Sequence, residues 1–465
     1  MCLRRYLPIV LSLTATFLLI IGIVAFSAPY VFADTASEEM DKPYKQKTYT
    51  HIPISFSLLP GIGTSSLTDG REVVTNFSLN LIAGRYAKLY GFEYGIVLNW
   101  ETEEAYGMQF SGVANLVQGY MSGFQSAGVT NIILGDLDGL QTSGAVNYVQ
   151  GHVRIGQMSG AVNFARRGLE GVQTSGAGNY VEGDMLGFQA SSALNMATGD
   201  LRGAQISGAV NYAGSNMWGC QGSSALNVAL GSITGAQMSG AVNYMDGDML
   251  GFQASGALNM ARGRVTGAQV GIVNIAGDIS GAQVGVVNIA GNVEGAQVGV
   301  FNYADEINGA PIGVFSFVRK GQIHLDVWAN EYSISNIALK TGGKYIYSII
   351  ALGAQPYSDP YRWHVGAGIG GHIPRGLYFF NIEALNYQLN EGERWEEDLH
   401  QISKLRLIGG RQINPRVAVF AGVTLNVFVS NVNDGSRYNL GSIFKWSGDD
   451  EWVRIWPGFV LGVQF

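Results

Sequence analysis

The strongest constraint on this chain is a pair of amide side chains that recur in fixed register. Glutamines stand sixteen residues apart at Gln109, Gln125, Gln141, Gln157, Gln173, Gln189, Gln205, Gln221, Gln237, Gln253 and Gln269, then fourteen apart at Gln283 and Gln297. Asparagines follow at Asn115, Asn131, Asn147, Asn163, Asn179, Asn195, Asn211, Asn227, Asn243 and Asn259, then at Asn274, Asn288 and Asn302. A repeat this short is one small supersecondary unit, which must stack on its neighbours to bury anything. The residues beside the amides are often apolar, as with Phe124, Leu140, Met158, Ile206, Val270 and Val284 next to glutamines, and Val146 and Tyr148 around Asn147. Alternation with period two predicts strands, and one repeat has room for about two short strands and two corners. Ser143-Gly144 and Gly183-Asp184 are turn-forming pairs that supply those corners.

The change of period decides the architecture. Gln253 to Asn259 is six steps and Gln269 to Asn274 is five, while Asn259 to Gln269 is ten and Asn274 to Gln283 is nine. Each half of the unit therefore loses one residue. A loss inside a strand would flip every later side chain to the other face, whereas a loss at a corner need not. The expected fold is all-β: a two-sided β-solenoid of 16- then 14-residue coils. Coils stack at about 4.8 Å, so the array would form a rod on the order of 60 Å long. Stacked identical amides form hydrogen-bonded ladders. They are expected on the outside, with the apolar flanks inside, because the reverse would expose rows of Phe, Val and Tyr. Glu93 takes the Gln place before Asn99 and Pro311 ends the series, as degenerate caps would. GDMLGFQAS at 183 and again at 247 points to growth by block duplication.

The chain opens with Arg4 and Arg5, an apolar run from Leu7 to Ala28, then small residues at Val31 and Ala33 before Asp34. That order predicts a secretory signal peptide over 1–33, cleaved between Ala33 and Asp34. Its removal takes the formal charge from −7 to −9 (−7 − 2), because it holds two arginines and no acid, which argues against a nucleic-acid partner. Cys220 is then the only cysteine, so no internal disulfide forms; the reading is a buried small hydrophobe. Asp136, Asp184, Asp200 and Asp248 recur after glycine, but His152, Ser232 and Arg264 take the same place, which favours turns over calcium sites. Asp246 with Asp248, or Glu103 with Glu104, are the carboxylate pairs a polysaccharide-cleaving enzyme would need; no His or Arg recurs beside them. No catalytic residue, metal or cofactor is expected.

Beyond Pro311 longer alternating strands begin. In VAVFAGVTLNVFVS (417–430) Val417 through Val429 are apolar at every odd position, and in YRWHVGAGIGGHI (361–373) Tyr361, Trp363 and Val365 oppose Arg362 and His364. Eight strands are expected, at 324–333, 335–342, 344–355, 361–373, 376–389, 398–412, 417–430 and 451–465. Short links at 373–376 and 413–416 alternate with long ones at 390–397 and 431–450, the asymmetry of outer-membrane barrels. An eight-stranded barrel is filled by its own side chains, so His364, His372, Lys404 and Arg406 should point inward. Pro457 suggests a bulge or an exposed edge. The ending WVRIWPGFVLGVQF, with Leu461, Val463 and Phe465 on one face, resembles the insertion signal of Gram-negative outer-membrane barrels.

The units GAQMSGAVNYM and GAQVGVVNIAG with that ending resemble an uncharacterised family of bacterial surface-repeat-containing proteins. The resemblance implies a bacterial envelope protein and carries over no activity. The expected organisation is 1–33 signal peptide, 34–92 cap, 93–317 solenoid and 318–465 barrel. The expected function is a non-enzymatic scaffold or adhesion surface, with outer-membrane lipid and an envelope glycan or protein as partners. Alternatives are a transport or channel component, a carbohydrate-active solenoid, and a soluble terminal cap. An even-stranded barrel begins and ends in the periplasm, which would put the solenoid there, whereas a strand count off by one would put it on the cell surface; either address is expected.

Overall fold

The computed structural model describes residues 47–465 apart from 69, 393–394, 439–440 and 449–450. The expected signal peptide, with its Ala33/Asp34 junction, lies outside the described residues. The fold is all-β, a solenoid of about fourteen turns followed by a closed eight-stranded antiparallel barrel.

Each 16-residue coil consists of a seven-residue strand and a four-residue strand, as in Leu137–Ser143 and Val146–Val149. Successive coils pair in parallel and in register, so Gln157 lies between Gln141 and Gln173, and Asn163 between Asn147 and Asn179. The shortening falls at the corners. Ala254 pairs with Val270 and Leu258 with Val273, so three residues bridge the strands in one coil and two in the next. At the other corner Ala261 pairs with Ala276 and Arg264 with Asp278, and two bridging residues become one. Every later side chain keeps its face.

The first residue of each long strand and the last of each short strand point inward, giving a continuous apolar core through Leu137, Val149, Val153, Ala165, Leu169 and their counterparts. A buried side chain of this kind contributes roughly 1.5–3 kcal/mol. Parallel stacking starts before residue 93: Tyr49–Leu59 pairs with Glu72–Asn80, that strand with Ala83–Gly95, and that with Leu98–Ser111. The segment before the regular repeats thus extends the stack.

The barrel strands run Gln322–Asn330, Ser335–Gly342, Ile346–Gln355, Arg362–Arg375, Tyr378–Glu391, His400–Asn414, Val417–Ser430 and Trp452–Gln464. The first pairs with the eighth, Val327 beside Val463, and closes the cylinder. A short strand, Phe444–Ser447, adds to the edge of the eighth and has no counterpart in the sequence reading. Pro457 pairs with Leu425 without a register shift, so there is no bulge. It lies in the gap between the residues paired to Phe444–Ser447 and those paired to the first strand, which makes it an exposed edge.

The links 343–345, 376–377 and 415–416, the entry at Gln322 and the carboxy-terminal Phe465 all lie at one end. The links 331–334, 356–361, 392–399 and 431–451 lie at the other. The last solenoid coil packs on the short-link end, where Ser348 Oγ donates to Ser316 Oγ at 3.2 Å.

Candidate functional site

The ladder amides are inside the solenoid, not outside. Every repeat Gln from Gln109 to Gln297 and every repeat Asn from Asn115 to Asn302 is buried. The expectation failed because it treated a buried amide as a cost and an exposed ring as a larger one. A buried polar group is tolerated once it is hydrogen-bonded, and here every ladder amide nitrogen donates to an acceptor. Asn195 Nδ2 donates to Asn211 Oδ1 at 3.1 Å and to the Ile206 carbonyl at 2.7 Å, while its Oδ1 accepts from Asn179 Nδ2 at 2.9 Å. Gln205 Nε2 donates to Gln189 Oε1 at 2.8 Å and to the Tyr212 carbonyl at 3.1 Å. Carbonyl contacts fix which end is nitrogen in the asparagines and in glutamines such as Gln157, Gln189 and Gln205, and the continuity of the ladder carries that sense through the remaining glutamines.

The two ladders therefore run in opposite senses. Asn donors point toward the barrel, from Asn80 through Asn302 and on to Ser316 at 3.2 Å. Gln donors point toward the amino terminus, and Gln297 Oε1, at the barrel end, has no partner among the described residues. Pro311, the next residue in series, has no side-chain donor to offer it.

The apolar flanks face out. Phe77, Phe92, Phe110 and Phe124 form one row with centroids 5.6–5.7 Å apart, and Tyr90, Tyr106 and Tyr120 another at 5.4 and 5.6 Å. Phe77 with Phe92 and Tyr90 with Tyr106 are in register, and the remaining contacts are diagonal between neighbouring coils; either way each ring covers part of its neighbour, which lowers the cost of an outward row. Cys220 belongs to this outer face and is only half buried, contrary to the buried reading. The residue two before each repeat Gln is glycine in every coil but one, and the reason is close approach: Gly203 has φ +134°, and a Cβ there would lie 1.9 Å from the Gly187 carbonyl oxygen. Ile155 breaks the row and is the only described non-glycine residue with positive φ, at 87°.

The Gly-Asp corners are structural. Asp136 Oδ1 accepts from the His152 amide at 2.8 Å, Asp184 Oδ1 from Asp200 at 2.8 Å, and Asp248 Oδ1 from Arg264 at 2.7 Å, so each caps the equivalent amide one coil on. Asp246 pairs with Arg262 at 3.0 Å, and Glu103 with Lys47 at 3.0 Å. Glu104 pairs with Lys88, whose hydrogen bond holds its carboxyl below the usual range. Of the carboxylates considered from sequence, Asp246, Glu103 and Glu104 are thus in stacked ion pairs and Asp248 caps a backbone amide. No group of three or more His, Cys, Asp or Glu positioned for a metal occurs among the described residues.

A different carboxylate pair went unnoticed. Glu93, in the first Gln place, accepts from Gln109 Nε2 at 2.9 Å, Ser78 Oγ at 2.8 Å and Asn80 Nδ2 at 2.7 Å. Glu101 pairs with Val117, at the inward place where later coils carry Val149 or Ala165, and it too bonds Gln109 Nε2. Both carboxyls are buried. Burial and then the Glu93 charge push Glu101 well above the usual carboxylate range. The available signal was a Glu at an alternation point where every later repeat is apolar.

The barrel interior is a charge network. Asp326 meets Lys340 at 2.6 Å, Lys340 and Arg406 both bond Glu383, and Tyr347 donates to Glu383 at 2.6 Å. Arg406 also lies over the Trp328 ring at 4.7 Å. Toward the long loops, Glu331 accepts from Lys404 at 3.4 Å, Asn426 at 2.9 Å and the Phe459 amide at 3.2 Å, where the eighth strand lacks a partner. His364, Lys404 and Arg406 point inward as expected and are buried; His372 is half buried and bonds Asn381 at 2.8 Å. The outer surface is apolar, with Leu405, Leu407, Val419, Val423, Leu425, Phe459, Leu461 and Phe465 exposed.

The geometry defines a class: a repeat rod with a satisfied amide interior, mounted on a filled barrel with an apolar exterior. No family model, curated protein or solved structure matches the chain.

Proposed function

We propose that this is a non-enzymatic bacterial envelope protein whose barrel sits in the outer membrane and whose solenoid is a rigid scaffold standing off it in the periplasm. One observation carries the reading: a closed barrel with an apolar outer belt has its three shortest links, 343–345, 376–377 and 415–416, and both of its ends, on the solenoid side. In outer-membrane barrels the short turns are periplasmic. Strands of 13 to 15 residues in the last five that line the wall exceed the 9–11 a tilted membrane strand needs. The likeness to bacterial surface-repeat proteins agrees with an envelope address, with outer-membrane lipid as the first partner and an envelope glycan or protein as the second. The filled interior favours an anchor over a channel. The carboxylates tied up in ion pairs and a backbone cap favour a scaffold over a carbohydrate-cleaving enzyme.

The test is protease digestion of intact cells carrying an epitope tag at the Gly231-Ser232 corner, with a lysed control. Protection until lysis is expected. Loss of the tag from intact cells would place the rod outside and replace scaffold by surface adhesion.

A further inference from the structure

Resting on the membrane reading above, we infer that the barrel carries a built site for one anionic phospholipid in the leaflet on the solenoid side. Register places Phe380, Gly409, Ala421 and Leu461 side by side on the fifth to eighth strands, all facing out. Two small residues between two large ones leave a furrow, part of an apolar cavity of about 770 Å³. The floor is two strands wide, about 10 Å, which is room for a hydrocarbon chain and too narrow for a peptide strand with side chains. Gly409 keeps the floor open, since a Cβ there would stand in ordinary van der Waals contact with the Phe380 ring at 3.8 Å and a larger side chain would fill the furrow.

Two residues nearer the solenoid the furrow ends in a polar rim. Arg375 pairs with Tyr378, and Tyr378 with Arg411, so two guanidiniums flank one phenol on adjacent strands. Both arginines line the cavity. Neither has a carboxylate partner among the described residues, and Arg411 only lies over the Tyr378 ring at 5.8 Å. On the eight wall strands the cations Lys340, Lys404 and Arg406 are inside and paired, while the other exposed cations without a carboxylate partner among the described residues of the barrel, Lys344, Arg416 and Lys445, lie in two links and on the short added strand rather than on the furrow. Unpaired guanidiniums above an apolar slot match a phosphodiester above an acyl chain, with bidentate hydrogen bonding available to the phosphate.

The experiment uses the full-length protein in a non-ionic detergent, titrated with phosphatidylglycerol or phosphatidylcholine and read by native mass spectrometry. Expected is one phosphatidylglycerol retained per chain, with a preference over phosphatidylcholine of roughly tenfold or more. The double variant Arg375→Gln, Arg411→Gln should lose the preference, and Gly409→Leu should lose retention of both lipids while its folded band on an unheated gel persists. No preference in the wild type, several equivalent lipids, or unchanged behaviour of both variants would overturn the site. Flotation with phosphatidylglycerol vesicles separates the levels: a chain that floats without the preference refutes only the site, and one that does not float refutes the membrane reading with it.

Discussion

Replacing Asn195 by Asp changes one buried amide into an isosteric acid and isolates what the ladder contributes. Asn195 Nδ2 serves Asn211 Oδ1 and the Ile206 carbonyl, with the Gln189 carbonyl a longer third acceptor at 3.3 Å. A neutral Asp has one O–H, so one acceptor loses its donor even at low pH, costing about 1–3 kcal/mol. As an anion, Asp would face three acceptor oxygens in a site with no solvent exposure. Its folded pKa is therefore raised above the unfolded value of about 3.9. The stability lost through this group is smallest below the unfolded pKa and grows as pH rises toward the folded pKa. If that exceeds 7, the added loss at pH 7 is about 4 kcal/mol, from roughly three pKa units at 1.36 kcal/mol each. Hydrogen exchange of amides in residues 179–211 of the full-length protein at pH 4 and pH 7 reads this locally. The control is Asn216→Asp at a corner where Asp184, Asp200 and Asp248 already serve. It should stay within about 0.5 kcal/mol of wild type. Equal protection of Asn195→Asp at both pH values, or a loss no larger than the control's, would refute the ladder argument.

Ile155→Gly should raise stability by about 1 kcal/mol, because it relieves a β-branched residue at φ 87°; a thermal melt that falls instead would show that the side chain is needed. Gly203→Ala should destabilise by more than about 3 kcal/mol, since its Cβ meets the Gly187 carbonyl oxygen at 1.9 Å; wild-type melting would contradict that geometry. With the folded pKa of Glu101 raised, wild-type stability should fall as pH rises above about 4.3; Glu101→Gln should flatten that slope in melts at pH 5 and pH 8. Arg406→Met strands the Glu383 carboxylate and should cost the barrel about 3–5 kcal/mol, seen as a lower temperature for loss of the compact band on gels.

The architecture was legible in the sequence wherever a single physical rule had one outcome. Losing one residue from each half of a coil without disturbing the pattern leaves only the corners, and corners are where the losses fall. Alternation in 417–430 similarly specified both faces of the seventh barrel strand. The inside of the solenoid was not legible, because period two separates amides from rings without saying which set faces in. The deciding quantity is three-dimensional: whether each amide finds two acceptors and a donor in the coils above and below. Glu101 was missed for a related reason, since its neighbour Glu93 is distant in sequence from the residues that show the site to be closed. The furrow at Gly409 and Ala421 depends on register between strands, which no single strand encodes.

The opposed senses of the two amide ladders bear on how such a rod grows. A column of aligned amides is a row of dipoles, and one column alone would build a field that strengthens with every coil added. Here the Asn column and the Gln column point opposite ways, so each new coil adds two dipoles that largely cancel. Length thus carries no accumulating electrostatic strain. Duplication of a four-coil block, of the kind left at 183 and 247, would move the tip by about 19 Å and leave both ends chemically unchanged. A lineage could set the reach of this protein in steps of one strand spacing, by copying alone.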